Sequence, residues 1–201
     1  MSISFHPTPR TLMGPGPSDV HPRVLGAMAK ATIGHLDPEF IALMEDIKDL
    51  LRYTFRTENK LTLPLSAPGS AAMEASFANL VEAGDKVIVC INGVFGMRMA
   101  ENVRRMNGEL VTVEDEWGTQ ADPEKVEAAL KANPDAKILA FVHAETSTGV
   151  RSDAQTLCAL AEQYGCLSIV DSVTGLAGIE LEVDAWKADV TYSGTQKCLS
   201  A

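Results

Sequence analysis

Long hydrophobic runs are missing from this chain of 201 residues: its longest, such as Val87 to Ile91 and Ile138 to Val142, have five residues. A membrane-crossing helix needs roughly 18, so no membrane partner is expected. Clustered positive charge is missing too. Lys and Arg number 17 against 27 Asp and Glu, for a net charge of −10 with no basic block, and nothing is in place to neutralise a nucleic-acid backbone. Cysteine and histidine are sparse and scattered. Cys90, Cys158, Cys166 and Cys198 hold no C-x-x-C pair, and His6, His21, His35 and His143 hold no H-x-x-x-H pair. These spacings predict reduced thiols and no metal. The opening MSISFHPTPRTLM lacks the apolar core of a secretory signal and the Arg-rich pattern of a transit peptide, so a cytoplasmic protein is expected. There is no G-x-x-x-x-G-K-[ST] phosphate loop, and Gly14-Pro15-Gly16 is no dinucleotide fingerprint because no helix opens through Pro17. Internal repeats and low-complexity tracts are also absent.

What is present is an ordinary globular composition, 46% hydrophobic and 22% charged, enough for a substantial core. Short β-branched runs alternate with longer amphipathic stretches, the pattern of crossover units on a parallel sheet. Strands are predicted at Leu61–Leu65, Lys86–Ile91, Glu109–Val113, Lys137–Val142, Leu167–Asp171 and Asp189–Ser193. Helices are predicted at Ala71–Val81, Val94–Arg105, Pro123–Ala132 and Asp153–Tyr164. Asp122 before Pro123 reads as an N-cap followed by a first-turn proline, and Gly84, Gly108 and Gly165 fall just past helix ends. Before these units lie Gly14-Pro15-Gly16-Pro17 and two further helix candidates, Pro22–Lys30 and Pro38–Phe55. Residues 1–57 are thus read as an N-terminal arm and helical lead-in to one α/β domain over 58–201. The chain stops at Ala201 directly after a strand, which predicts a truncated domain.

Ligands of parallel α/β sheets bind beyond the carboxyl ends of the strands, where loops and helix N-termini converge. Five loops qualify: Ser66 to Ala71, Asn92 to Gly96, His143 to Gly149, Asp171 to Val173 and Gly194 to Lys197. The first runs straight into a helix, so Gly69, Ser70 and Ala71 offer backbone N–H groups to an anion. Taken alone, this loop reads equally as a small-residue turn. Asp171 ends an apolar strand, where a carboxylate must face a ligand or find a partner. Lys197 follows 26 residues later, after the next strand, within reach of the same crevice. An anion cradle, an aspartate and an amine nucleophile suit an aldehyde cofactor carrying a phosphate and a protonatable ring nitrogen, and pyridoxal 5'-phosphate has these three handles.

With these motifs in this order, the chain resembles the class V (fold type I) pyridoxal-phosphate aminotransferases, and most of all the alanine/serine–glyoxylate aminotransferases. The resemblance runs from Gly14-Pro15-Gly16-Pro17 through Gly69 to Glu74, Asn92 to Gly96, His143 to Gly149 and Asp171-Ser172-Val173 to Ser193-Gly194-Thr195-Gln196-Lys197. It implies a mostly parallel sheet of the seven-stranded type with helices on both faces, here without its C-terminal small domain. It further implies that the cofactor phosphate meets Gly69, Ser70 and Gln196, and that Phe95 and Val173 flank the ring. Thr146 would sit at the ring hydroxyl, Asp171 would pair with the ring nitrogen, and Lys197 would form the Schiff base. Phe95 stands where Trp is common, and Pro68-Gly69-Ser70 where Ser-Gly-His is frequent. Stacking survives the first change, while the second shifts phosphate binding toward backbone amides.

The activity so implied is transfer of an amino group from a small amino acid, alanine or serine, to a 2-oxo acid, glyoxylate, by an enzyme that is a homodimer when complete. The arginine that clamps the substrate carboxylate and the neighbouring subunit's phosphate contacts are expected beyond Ala201, so the chain alone is expected to be a weak catalyst. Two alternatives stand beside this reading. One is a lyase or cysteine desulfurase on the same fold, disfavoured because those relatives place His before the lysine where this chain has Gln196. The other is a non-catalytic cofactor-binding module, disfavoured by the joint presence of Asp171 and Lys197. Cys198 is read as a packed thiol, His143 as support for the ring or the loop, Glu145 as a backbone-bonding group, and Trp117 and Trp186 as packing residues.

Overall fold

The computed structural model describes residues 4–201. Helices α1 (Pro22–Met28) and α2 (Pro38–Phe55) come first, each with proline in its first turn. His21 and Asp37 cap them through their side chains, and neither helix buries a residue. The lead-in is nonetheless docked. Phe55 packs on Leu176, Leu181 and Val183, and the Glu58 N–H donates to Asp184 Oδ2 at 2.9 Å.

The remaining elements alternate. They are α3 (Gly69–Leu80), β1 (Lys86–Ile91), α4 (Val94–Arg105), β2 (Glu109–Glu114), α5 (Pro123–Ala132) and β3 (Ile138–Val142), then the two-residue strands β4 (Ala144–Glu145) and β5 (Val150–Arg151), and finally α6 (Ala154–Gln163), β6 (Leu167–Asp171) and β7 (Val190–Tyr192). Five strands form one sheet in the order β2-β1-β3-β6-β7, all parallel. β4 and β5 form a separate antiparallel pair.

The period of two along each strand divides the core. Ile88, Cys90, Leu139, Phe141 and Val170 pack with Val126, Leu130, Leu157 and Ala161 of α5 and α6. Val87, Val89, Ile138, Ala140 and Ile169 pack with Met73, Phe77, Met99 and Val103 of α3 and α4. Helices thus cover both faces, as expected for a parallel sheet. Every residue of β3 is buried, and each such large aliphatic side chain stabilises the fold by about 1.5–3 kcal/mol.

One predicted strand does not form. Leu61–Leu65 has no strand assignment, and Leu61, Leu63 and Leu65 are exposed. Its alternation fits a half-buried strand, but no neighbouring strand pairs with it, and Pro64 has no N–H to give a ladder. The main sheet therefore counts five strands among the described residues, and the seven-stranded expectation is met only to that extent. Elsewhere α2, α4, α5, β1 and β6 match their predicted bounds, α1, α3, α6, β2, β3 and β7 move by one or two residues at one or both ends, and β4 and β5 were not predicted.

Candidate active site

β6 delivers Asp171 to the carboxyl edge of the sheet with 2% of its surface exposed. Its Oδ1 accepts from the Val173 N–H at 2.9 Å, and its Oδ2 accepts from the Tyr192 hydroxyl at 2.8 Å. Burial pushes this carboxyl up to about 6, against the two hydrogen bonds that pull it down, and the Glu145 charge adds to the rise. Among the described residues no lysine or arginine pairs with Asp171. A buried carboxylate given only neutral donors keeps its charge available to a cationic ligand group.

Two helix N-termini meet this edge. α3 begins at Gly69 behind Pro68, which supplies no side-chain cap. The Ala71 N–H turns back to Pro68 O at 2.8 Å, leaving the first amides of the helix pointing outward without a side-chain acceptor. Gly69 is wedged in: a Cβ there would lie 3.3 Å from Val173 Cγ2 and 3.8 Å from Gly194 Cα. Gly69, Val173 and the loop before Lys197 are thereby brought together. α4 is closed instead. Glu145 Oε2 accepts from Phe95 N at 3.1 Å and Gly96 N at 3.4 Å, and Ser147 Oγ accepts from Val94 N at 3.0 Å. Glu145 Oε1 holds Ser147 in turn, through its N–H at 3.1 Å and its hydroxyl at 2.7 Å. Glu145 therefore bonds backbone, as expected. In doing so it fixes the turn that carries Phe95, whose ring has the Arg98 guanidinium 4.8 Å from its centre.

The remaining predicted residues ring this centre. Thr146 Oγ1 hydrogen-bonds Thr174 Oγ1, next to Val173. Gln196 folds back on Gly194, its Oε1 2.5 Å from where a Cβ would stand. Ser70 is exposed on the first turn of α3. Lys197 is the one residue directed elsewhere: its Nζ donates to Pro15 O at 3.1 Å, and its stem fills the space beside Gly16, where any Cβ would collide. The N-terminal arm so lies over the lysine loop, and Ser18 N–H donates to Gln196 O at 3.3 Å. Cys198 Sγ donates to Thr174 O at 3.4 Å but is exposed, so it is not the packed thiol expected: the chain turns at the surface there and leaves the sulfur open to solvent. A groove of about 640 Å³ borders the site on its outer side, lined by Pro68, Gly69, Ser193, Gly194 and the Leu61–Leu65 segment but reaching neither Asp171 nor Phe95. The sheet edge that carries Gly69, Asp171 and Phe95 is the better place for a ligand, because the charged and hydrogen-bonding groups converge there.

The family model for class-V aminotransferases matches residues 13–201. The chain belongs to this family. It is 39% identical over 191 residues to alanine–glyoxylate aminotransferase of Drosophila melanogaster, covering 94% of this chain and 48% of the fly protein. It is 39% identical over 192 residues to (S)-ureidoglycine–glyoxylate transaminase of Bacillus subtilis, covering 95% of this chain and 46% of that protein. The crystal structure of an alanine–glyoxylate aminotransferase from Nostoc sp. superposes with a TM-score of 0.96 at 44% identity, over 100% of this chain and 53% of that one. The chain spans about half the length of the curated relatives it matches.

Sequence reasoning about this class-V aminotransferase chain missed Tyr192 as the partner of Asp171, and missed Ser147 and Glu145 as the closure of α4. Residue spacing signals neither. The pairing of Asp171 with Tyr192 needs the β6–β7 register, and the α4 closure joins residues 49 to 53 positions apart. His143 lies edge-on to Trp186 with ring centres 5.7 Å apart, and burial pushes its imidazole down to about 4, a neutral supporting ring. Among the described residues no cluster of His, Cys, Asp or Glu could hold a metal, and no helix is long and apolar enough to cross a membrane.

Proposed function

We propose that the complete protein is a pyridoxal-phosphate aminotransferase that moves an amino group from a small amino acid, alanine or serine, to glyoxylate. The observation that carries this reading is a buried carboxylate without a cationic partner, Asp171, beside an uncapped helix N-terminus at Gly69. A protonated ring nitrogen and a phosphate fit those two features, and the names of the relatives supply glyoxylate. In this proposal residues 58–201 form the cofactor-binding part and residues 1–57 its arm and lead-in. The exposed Leu25, Met28, Leu36, Ile41 and Leu50 of the lead-in favour a homodimer in which a second copy covers them. Four free cysteines, three of them buried, favour a reducing, cytoplasmic setting.

The bound cofactor supplies an aldehyde that captures amines and an electron-withdrawing ring next to the substrate α-carbon. The protein's own groups do the rest. The amides of Gly69 and Ser70, with the Gln196 side chain, would hold the phosphate. Phe95 and Val173 would flank the ring and exclude water from its faces, and Thr146 would bond the ring hydroxyl. Asp171 would hold a proton at the ring nitrogen, the placement that favours loss of the substrate α-proton. Lys197 Nζ would be the covalent anchor and the base that takes the substrate α-proton and returns it.

The desulfurase alternative has less support. Gln196 has no titrating proton to offer beside the lysine, and Cys198 is engaged with Thr174 O. The test is Lys197→Ala in the full-length protein, assayed with pyridoxal phosphate, alanine or serine, and glyoxylate. Glycine formation should fall below about a thousandth of the parent while the fold, read by circular dichroism, is kept. Activity above that level sinks the assignment of Lys197. Sulfide from cysteine outrunning glycine in the parent sinks the aminotransferase reading.

A further inference from the structure

Asp171 and Tyr192 close adjacent parallel strands and are paired in register, so their side chains leave the sheet on the same side. Both are buried, at 2% and 5% exposure. The Tyr192 hydroxyl takes Oδ2 at 2.8 Å while the Val173 N–H takes Oδ1 at 2.9 Å. Two donors from two elements, one on each oxygen, fix both the position and the plane of the carboxylate. Each oxygen still has a lone pair to offer.

The choice of a phenol has a consequence. An arginine or lysine in this place would hold the carboxylate ionised but also neutralise it, leaving less for a cationic ligand group. A neutral donor supports the charge without cancelling it. Tyr192 stays a donor at every working pH, because burial and the Asp171 charge push its phenol well above 10. The other charged group acting on Asp171 is Glu145 of β4, which opposes ionisation. The His143 ring faces Trp186, and the Lys197 amine is at Pro15 O. Tyr192 is thus the side chain that offsets both burial and Glu145.

We propose that Tyr192 is a positioning residue whose hydroxyl holds the Asp171 carboxylate in the orientation and ionised form that keep a proton on the cofactor's ring nitrogen. This rests on the reading of Asp171 given above. It adds a residue that never touches the cofactor and acts through one that does.

The variant is Tyr192→Phe in the full-length protein, which removes one oxygen and keeps the ring. In the ligand-free form, the Asp171 carboxyl followed by 13C NMR should titrate about one pH unit or more higher than in the parent. With cofactor bound, the 15N signal of the labelled ring should move toward the unprotonated form. The affinity for pyridoxal phosphate should fall about tenfold at neutral pH, and the difference from the parent should widen on mild acidification and shrink as pH rises and the carboxyl ionises in the variant too. In an Asp171→Asn background the same change should alter cofactor affinity less than about twofold, since the group it acts through is gone. A parental Asp171 midpoint in Tyr192→Phe, or losses that add independently in the double variant, overturns the proposal. If Tyr192→Phe does not fold, 3-fluorotyrosine at position 192, a stronger donor of nearly the same shape, must lower the midpoint, and an unmoved midpoint overturns the proposal equally. Parental cofactor binding and turnover in Asp171→Asn alone would instead overturn the reading of Asp171, and the Tyr192 proposal with it, even where the ligand-free titration has shifted.

Discussion

Two helices start at the same edge of one sheet, and their amino ends are finished in opposite ways. At α4 the first three N–H groups are taken by Ser147 and Glu145 from a distant loop. At α3 Pro68 offers no side-chain cap. The two buried carboxylates follow the same division. Glu145 collects four donors, whereas Asp171 collects two. The saturated end is structure: it sets the angle at which α4 leaves the sheet and so where Phe95 stands. In the function proposed above, the undersupplied end and the undersupplied carboxylate are what a phosphate and a cationic ring nitrogen would engage. A close likeness in fold would not by itself separate the two ends. The count of hydrogen-bond partners does.

Breaking the saturated end should produce the largest effect. Glu145→Ala strands the N–H groups of Phe95, Gly96 and Ser147 in a buried place, and should cost about 3–5 kcal/mol of stability in urea unfolding. Glu145→Gln keeps part of the bonding and removes the charge. It should cost less, and it should also lower the Asp171 midpoint from about 6, since the Glu145 charge raises it. A loss under about 1 kcal/mol for Glu145→Ala would show that the closure of α4 is incidental.

The undersupplied carboxylate should show itself through pH. Asp171 has a folded midpoint of about 6 against 3.8 for the free group. The native state therefore binds the extra proton between those values, and this group's contribution is full below about pH 4 and lost as pH rises through 6. The size is about 3 kcal/mol. His143 works the other way in almost the same window: its midpoint of about 4 lies below 6.5, so its contribution is present above about pH 6.5 and lost as pH falls through 4. The two nearly cancel in the parent. Asp171→Asn, in ligand-free protein, should uncover the His143 slope, with stability rising more steeply from pH 4 to 6.5 than in the parent. A variant whose pH profile matches the parent's would show that the Asp171 carboxyl is not held up by burial.

One substitution made at both helix starts compares them directly. A Cβ on Gly93 would stand 2.3 Å from Glu145 Cγ and 2.6 Å from Ser147 Oγ, while one on Gly69 would meet nothing nearer than 3.3 Å. Gly93→Ala must push the Glu145 cap aside and should cost about 1–3 kcal/mol. Gly69→Ala asks a methyl of Val173 to give by a few tenths of an ångström and should stay under about 1 kcal/mol, its main effect being weaker cofactor binding. Thermal unfolding of the two ligand-free variants decides, and equal losses would erase the distinction.

These contrasts also mark what could be seen in advance. The helix starts at Asp37-Pro38 and Asp122-Pro123 were legible to the residue because cap and first-turn proline are adjacent in sequence. The strands of the sheet were legible because burial on both faces leaves unbroken apolar runs. Asp171 stood out as a charged group at the end of such a run, and Lys197 as an amine in the loop after the next strand. Leu61–Leu65 misled because alternation describes a surface that suits pairing and says nothing of whether a partner strand is there. β4 and β5 are too short for any period to show. Tyr192 and Glu145 gained their roles only through contacts made across the folded sheet edge. Lys197 lies in the loop after β7, and its bond to Pro15 depends on how the arm crosses that loop, which no local pattern encodes.

The smallest expected effect sharpens the comparison most, because it converts one helix end into the other. Pro68 already has the extended backbone of an N-cap, with φ −68° and ψ 162°, so Pro68→Asp places a carboxylate where the side chain can accept from the outward amides of α3. The ligand-free protein should gain about 0.5–1 kcal/mol, less a few tenths for the lost rigidity of proline. The same carboxylate would occupy the amides assigned to the phosphate and repel its charge, so affinity for pyridoxal phosphate should drop at least tenfold, while pyridoxal, which lacks the phosphate, should bind as in the parent. Pro68→Ser caps without charge and should give a similar gain in stability with a smaller loss of affinity. The two ligands together isolate the anion from the ring. If Pro68→Asp weakens both equally, the substitution has disturbed the loop. If it weakens neither, the phosphate is held elsewhere, and the open end of α3 has another use.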